Sequence, residues 1–275
     1  MPLSSLLRQP VETTVPAPPV AIQSISIPVP AAAESWIEDP AASGWSLSRA
    51  RRLLDIAVAA LILAAFALPM LAIAICIRVS SRGPAIFTQK RVGRKGRLFS
   101  IYKFRSMAIP SGAHHGPWLT KEGDDRITAL GRWLRGLKLD ELPQFYNILR
   151  GDMSLVGPRP KLPQYAAIRN MPYRPGITGP ATLAFRNEET ILGRVHPGQI
   201  EIFYNRHIKP LKASIDANYM GNATLLSDLQ IIATTFLACI APDRVPAPYR
   251  TNSLSVLAFQ PLSVLDGTTH QETSA

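Results

Sequence analysis

The longest apolar run in the chain is 56–77, IAVAALILAAFALPMLAIAICI, which holds 22 residues without a charge. As a helix it would measure about 33 Å at 1.5 Å per residue, long enough to cross the hydrocarbon core of a bilayer. A second run, 225–240, is mostly apolar but is interrupted by Asp228 and Gln230. It is too short for a convincing second span and suits an interfacial helix. Between the two runs the periodicities are those of a small mixed domain. Leu98, Ser100, Tyr102 and Phe104 alternate with Phe99, Ile101, Lys103 and Arg105, which predicts a short strand ending in cations. Ile127, Leu130, Trp133 with Leu134, and Leu137 form a helical stripe, with Arg132 and Arg135 on its other side. Leu142, Phe145, Tyr146 and Leu149 recur at i, i+3, i+4 and i+7 and predict a short amphipathic helix with that apolar face. Pro143 fits only a first helical turn and Gly151 is a natural stop, so Asp140 and Glu141 fall at the helix N-terminus.

The flanks of the long run bear on how it meets a membrane. Arg49, Arg51 and Arg52 precede it, and Arg78, Arg82, Lys90, Arg91, Arg94, Lys95 and Arg97 follow. From 49 to 105 there are twelve Lys or Arg and one acid, Asp55. Cationic flanks prefer the cytoplasmic side, and a straight span would put one cluster on the wrong side. Pro69 lies near the middle of the run and removes a backbone hydrogen bond, which favours a kink. Two readings stand: a proline-kinked single span, and a helix–break–helix that enters and leaves by the same leaflet and so satisfies both ends. Asp55, one turn inside the apolar boundary, is expected to pair with Arg51 or Arg52 as an anchor. The cationic turn at 90–97 reads as a leaflet-binding surface.

Composition adds boundaries. Prolines at 2, 10, 16, 18, 19, 28, 30 and 40 predict a disordered, proline-rich tail over 1–47. Residues 243–275 carry no motif and read as a C-terminal tail. No secretory signal is visible, because the first apolar run comes too late. An apolar fraction of 47% is enough for a core, and a net charge of +11 points to anionic partners: nucleic acid, acidic lipid or phosphorylated substrates. The chain shows no interleaved aromatic platform and no groove-reading helix, which argues against nucleic acid. Cys76 and Cys239 lie far apart in apolar runs without metal-ligand spacing and are expected to be buried, inert thiols. His114 and His115 lack a third ligand at suitable spacing.

The stretch 139–160, LDELPQFYNILRGDMSLVGPRP, carries the candidate chemistry. Two carboxylates at a helix N-terminus are stabilised as anions by roughly 0.3–1 kcal/mol each. An ionised Asp held there can serve as a nucleophile or metal ligand, and the same end can receive a phosphate. The same residues also serve as an ordinary helix cap, and the pair alone does not discriminate. Lys103 and Arg105, at the end of an apolar strand, are candidates for phosphate contact. Arg135, five residues before Asp140, is either a phosphate clamp or part of a solvated face.

Residues 135–160, with FTQKRVG (87–93), YKFRSM (102–107) and PGITG (175–179), resemble the bacterial sugar transferase family. These are monotopic polyprenyl-phosphate phosphoglycosyl transferases that prime O-antigen, capsule, exopolysaccharide or glycoprotein glycan synthesis. The resemblance covers about 49–238 and is to the small catalytic form. It implies an α+β, mainly helical fold: a re-entrant membrane helix over 48–82 broken at Pro69, and a small cytoplasmic catalytic domain with a few short strands over 83–242. The serine usual before that proline is Leu68 here.

The resemblance also implies roles. Asp140 would be the nucleophile that attacks the sugar-bearing phosphorus of a UDP-sugar. UMP would leave, and undecaprenyl phosphate would then take the phosphosugar from the enzyme. Glu141 would position Asp140 or the metal, and Mg²⁺ would bind at Asp140. Lys103, Arg105 and Arg135 match cations near the family's active site, and Pro158-Arg159-Pro160 resembles its element near the nucleotide. Arg186 keeps the position of a phosphate-binding arginine, although PGITG continues into GPATLAFR and not the usual Gln- and Asn-containing segment. Asn187, Glu188 and Glu189 either touch the sugar or form a surface loop. The implied location is the cytoplasmic face of a bacterial inner membrane. The implied partners are UDP-sugar, undecaprenyl phosphate, membrane lipid and later glycosyltransferases of the same pathway. The sugar and homo-oligomerisation stay open. The rival reading is a non-enzymatic, basic, membrane-anchored scaffold, which explains the charge and the apolar run but not an acid pair among arginines.

Overall fold

The computed structural model describes residues 37, 39–108, 119–120, 123–168, 170–241 and 244. His114, His115, most of the N-terminal tail and all of the C-terminal tail except Arg244 lie outside the described residues.

The apolar run forms two helices, α2 (Arg49–Ala65) and α3 (Ala67–Ser80), bent by 62° at Phe66. A short helix, α1 (Gly44–Leu47), precedes them. No single helix among the described residues is long and apolar enough to cross a membrane, but the bent pair passes that test together. The break falls three residues before Pro69, which sits in the first turn of α3. A proline ring excludes the carbonyl four residues earlier, here that of Ala65, and Ala65 is where α2 ends. Leu61, Phe66, Leu71, Ile75 and Val79 are exposed along the pair, and Leu68 is 79% exposed. An outward apolar surface of this extent marks an interaction site for membrane or protein.

Both ends of the pair are fastened to the same body. Arg51, Asp55 and Ala59, spaced by four, are the buried stripe of α2. Arg51 Nε donates to Asp228 Oδ2 at 2.8 Å, and its Nη2 donates to the Val156 carbonyl at 2.8 Å. Asp55 accepts from Ser154 Oγ at 2.8 Å and from the Leu155 N–H at 2.9 Å. The expected pairing of Asp55 with Arg51 or Arg52 is therefore corrected. The arginines turn outward to other elements, and Arg52 donates to the Ile148 and Leu149 carbonyls at 2.7 and 3.0 Å. At the far end, Arg105 Nη2 donates to the Ser81 carbonyl at 2.8 Å and to Ser81 Oγ at 2.7 Å. The body also reaches back into the tail: Ser46 Oγ donates to the Met220 carbonyl at 2.8 Å, and Trp45 Nε1 donates to Asp228 Oδ2 at 2.8 Å. Gly44–Leu47 thus belongs to the folded part and not to the predicted tail.

The predicted strand is β2 (Leu98–Phe104), paired antiparallel with β1 (Ile86–Val92) from Ile86↔Phe104 to Val92↔Leu98. Then come α4 (Ala129–Gly136), a 3-10 turn (Leu139–Glu141) and α5 (Gln144–Arg150). A parallel pair follows, β3 (Ser154–Val156) with β4 (Gly176–Thr178). The chain finishes in helices: α6 (Pro180–Ala184), α7 (Glu188–Gly193), α8 (Ile200–Phe203), α9 (Lys209–Asn222) and α10 (Leu225–Ile240). The central core joins Ala59, Phe99, Ile101, Ile148, Met153, Val156, Leu183 and Ile231, so α2, β2, α5 and α10 share one apolar centre. The architecture is α+β and mainly helical.

Two apolar patterns are rotated from expectation. The buried residues of α5 are Gln144, Asn147 and Ile148, whereas Tyr146 is 49% exposed. The reason is polar: β2 needs hydrogen-bond partners on this side, and Asn147 supplies them. In α4 Leu134 is buried while Trp133 and Leu137 are exposed. Cys76 is exposed on α3 and Cys239 is half-buried, so neither is the buried thiol expected from its apolar surroundings.

Candidate active site

The acid pair is positioned from three sides. Helix α4 is capped by Thr128, whose hydroxyl accepts from the Gly131 N–H at 2.9 Å. It crosses the chain after β2 so closely that a Cβ on Gly131 would lie 1.9 Å from the Ser106 carbonyl oxygen. After α4, Lys138 adopts a left-handed conformation (φ 58°, ψ 17°) and turns the chain into Leu139–Glu141. A non-glycine residue there stores on the order of 1 kcal/mol. The acids therefore lie in a 3-10 turn just ahead of α5, at its N-terminal end, and Pro143 is the cap residue and not part of the first turn as the sequence suggested. From the other side, Asn147 acts as a missing strand. Its Nδ2 donates to the Ser100 carbonyl at 2.8 Å, and its Oδ1 accepts from the Tyr102 N–H at 3.1 Å. This holds α5 against β2 and brings the next residue of the strand, Lys103, beside the pair.

The two acids are treated differently. Glu141 is 7% exposed and fully engaged: Lys103 Nζ lies 3.1 Å from Oε1, Arg159 Nη1 lies 3.2 Å from Oε2, and Arg159 Nη2 bonds Oε1. Burial pushes Glu141 up, but the charges of Arg159 and Lys103 more than offset it and hold the carboxyl well below its usual range. Asp140 is 5% exposed, and its Oδ1 is buried without a hydrogen-bond partner among the described residues. Burial raises its pKa, and the neighbouring Glu141 charge adds to the rise, while Lys103, Arg135 and Lys138 oppose it. Glu141 is thus a fixed anion, and Asp140 is a desolvated carboxylate with an idle oxygen.

The third side is the Pro158-Arg159-Pro160 turn. Prolines carry no N–H, so the turn is held through its carbonyls. The Gly176 N–H donates to Pro158 at 2.9 Å, Arg91 Nη1 to Pro160 at 3.3 Å, and the Val92 N–H to Lys161 at 2.9 Å.

Of the residues picked from sequence, the structure brings together Asp140, Glu141, Lys103 and Arg159. Arg135 acts on Asp140 through its charge, while its guanidinium is paired with Glu189 of α7. Arg105 lies elsewhere: it is buried against Ile77 and Ser81 and ties down the end of α3. Arg186 follows α6, with its N–H donating to the Leu183 carbonyl at 3.3 Å. Sequence reasoning missed Asn147 and the grouping behind the Arg159 turn, where Lys212 is paired with Glu188 and Lys161 donates to the Tyr204 hydroxyl at 3.0 Å. An Asn inside an apolar helix, where it is a poor helix former, was the available signal for the first.

For a divalent metal, the described residues contain no group of three or more His, Cys, Asp or Glu that could hold one. Mg²⁺ takes one or two carboxylates and completes its shell with water and substrate phosphates. Asp140, with an unengaged oxygen, fits that demand, and Glu141, fully engaged, does not.

An acid pair set among half-buried cations suits phosphate groups, whose charge the cations can offset. The chain belongs to the bacterial sugar transferase family, whose model matches residues 46–242. It is 37% identical over 206 residues to the UDP-glucose:undecaprenyl-phosphate glucose-1-phosphate transferase of Caulobacter vibrioides, covering 70% of each chain. It is 44% identical over 138 residues to the UDP-N-acetylgalactosamine-undecaprenyl-phosphate N-acetylgalactosaminephosphotransferase of Aeromonas hydrophila, which takes in 47% of this chain and 32% of that one. With the undecaprenyl-phosphate glucose phosphotransferase of Komagataeibacter xylinus the identity is 40% over 149 residues, 50% of this chain and 28% of the relative. The chain thus spans about a third of the length of these last two curated relatives.

Proposed function

We propose that this protein transfers a phosphosugar from a UDP-sugar to undecaprenyl phosphate and releases UMP. The observation that carries the reading is the division of labour in the acid pair: Glu141 is saturated by Lys103 and Arg159, and Asp140 keeps a buried, unpartnered oxygen. A carboxylate oxygen of Asp140 attacks the sugar-bearing phosphorus, and the bond from that phosphorus to the UMP oxygen breaks. An oxygen of undecaprenyl phosphate then attacks the same phosphorus, the acyl-phosphate bond breaks, and the Asp140 carboxylate is restored. Splitting the reaction this way replaces one encounter of two polyanions by two smaller ones. Lys103, Arg159 and Arg135 supply positive charge near the reacting phosphate. Mg²⁺ bound at Asp140 would offset phosphate charge. The relatives' names point to undecaprenyl phosphate as acceptor and to glucose, galactose or N-acetylgalactosamine among the sugars moved.

The setting of this chemistry is a re-entrant membrane helix on the cytoplasmic face of the bacterial inner membrane. Support comes from the 62° bend, the outward apolar residues, and the anchoring of both ends of the bent pair to one body. Cysteines placed at Ala50 and Arg82, in a background with Cys76 and Cys239 replaced by serine, should both react only from the cytoplasmic side. Labelling of either from the opposite side would sink the hairpin.

The activity is tested by UMP release with Mg²⁺ over a panel of UDP-sugars, with and without undecaprenyl phosphate, for wild type and Asp140→Asn. Lipid-dependent turnover lost in Asp140→Asn is the expected result. Full turnover in Asp140→Asn would remove the covalent step, and no release with any donor would favour the scaffold.

A further inference from the structure

Helix α7 opens with two adjacent acids, and each takes a cation from a different element. Glu188 is bonded to Lys212 of α9, with side chains 22% and 5% exposed. Burial pushes the Glu188 carboxyl up, and the charges of Lys212 and Lys161 more than offset it. The Lys212 ammonium also lies 5.4 Å from the centre of the Phe185 ring. One turn further on, Leu192 is 1% exposed, in a cluster with Phe185 and Tyr204. Glu188 and Leu192, spaced by four, therefore fasten α7 to the body.

Glu189 goes the other way, to Arg135 in the last turn of α4, and these side chains are 46% and 25% exposed. An ion pair this open to water is weak and exchanges at little cost. Its cation stands at the acid pair: the charge of Arg135 opposes the rise of the Asp140 pKa. Lys103 and Arg159 are both held by Glu141, which is buried and belongs to the pair itself. Arg135 is held instead by a carboxylate on a separate helix, whose side chain has room to leave. A guanidinium matches phosphate oxygens with two parallel N–H donors, and a diphosphate brings more charge and more acceptors than one carboxylate.

We infer that Glu189 is an internal counterion of Arg135 that the diphosphate of the donor displaces, so that this carboxylate sets how tightly a UDP-sugar is held. The inference rests on the proposed phosphosugar transfer. As the donor arrives, Arg135 turns its fork to phosphate oxygens and the Glu189 side chain swings to water, while Glu188 and Leu192 keep α7 in place. Once the phosphosugar is on the enzyme, the return of Glu189 to Arg135 helps the monophosphate product to leave.

The test is binding of UDP-glucose, UDP-galactose and UDP-N-acetylgalactosamine, as separate probes, by the full chain in nanodiscs of zwitterionic lipid with Mg²⁺, read by calorimetry. An Asp140→Asn background keeps a covalent step from following binding. Glu189→Gln should hold the best-bound donor about 2- to 5-fold tighter, the fold-change that corresponds to a half-exposed ion pair. Glu189→Ala should do the same. A side chain that merely props up the site would weaken binding on removal, so the sign of the change is the readout. The gain should vanish when Arg135 is replaced by methionine or, where that protein melts early, by glutamine. Three results overturn the inference: equal or weaker binding in Glu189 variants that melt like the parent, a gain that persists without Arg135, or no binding of any donor. UMP release in the Asp140 parent, assayed in parallel, separates this idea from the reaction. Turnover without the Glu189→Gln gain loses the counterion and keeps the reaction. The gain without turnover keeps the counterion and loses the reaction.

Discussion

Replacing Arg51 by methionine tests whether the bent helix pair is held by charge. Arg51 and Asp228 have side chains 5% and 4% exposed, and they meet through two hydrogen bonds, Nε to Oδ2 at 2.8 Å and Nη2 to Oδ1 at 3.2 Å. Arg51 also donates to the carbonyls of Val156 and Ser46, at 2.8 and 3.4 Å. Asp228 also accepts from Trp45 Nε1 at 2.8 Å and the Tyr219 hydroxyl at 2.7 Å. Removing one partner strands the other as a buried charge with only neutral neighbours, a loss of about 3–5 kcal/mol. For a body of this size each kcal/mol moves the melting temperature by about 2–4 °C, so Arg51→Met should melt about 6–20 °C lower. Replacing both partners by apolar residues removes the stranded charge. Arg51→Met/Asp228→Leu should therefore recover most of the loss. Melting in nanodiscs, followed by tryptophan fluorescence, reads all of this, because Trp45 sits on the pair. Singles within about 2 °C of wild type, or a double mutant that loses the sum of the two, would refute the reasoning.

Asp140→Asn should abolish turnover yet raise the melting temperature. The folded pKa of Asp140 is raised, so its ionised form withdraws stability as pH climbs from the unfolded value through the folded one, and the amide does not. For the same reason activity should fall as pH drops through the raised Asp140 value, whereas Glu141, held low, stays ionised in that window. Lys138→Gly should move this acid limb to higher pH, since Lys138 opposes the rise, while relieving on the order of 1 kcal/mol of left-handed strain. A pH–rate profile and a melt on the same preparation check both. Asn147→Ala leaves the Tyr102 N–H and the Ser100 carbonyl unpaired and should lose about 2–4 kcal/mol. A melting temperature equal to wild type would show that water replaces the amide. Chelation of divalent metal should stop turnover without lowering the melting temperature, because the described residues form no metal cage.

Much of this was legible in the chain. The alternation at 98–105 became β2, the stop at Gly151 is real (φ 91°), and the 22-residue run is bent, at Phe66, three residues before the proline that favoured a kink. The grouping of Lys103 and Arg159 with the acid pair was anticipated from family resemblance, not from spacing. Other features were hidden for physical reasons. Periodicity counts apolar residues, so it placed Tyr146 inside α5 and left Asn147 unnoticed, although burial there follows hydrogen bonding. Local spacing also favoured an Asp55–Arg51 pair, where the folded chain instead joins Arg51 to a residue 177 positions away. The grouping behind the Arg159 turn is assembled from the 159–161 turn and helices α7 and α9, so no contiguous motif records it.

That 177-residue separation carries a consequence for biosynthesis. Arg51 leaves the ribosome long before Asp228 does. At about 5–20 residues per second, roughly 9–35 s pass in which α2 exists without the acid that its Arg51 will meet. During that interval the contacts of Asp55 with Ser154 and Leu155 can form, but the Arg51–Asp228 pair cannot. Among the described helices the last is therefore the one that completes the fastening, and a nascent chain cut short before residue 228 would hold its bent helix pair by the Asp55 and Arg105 contacts alone, without the buried ion pair.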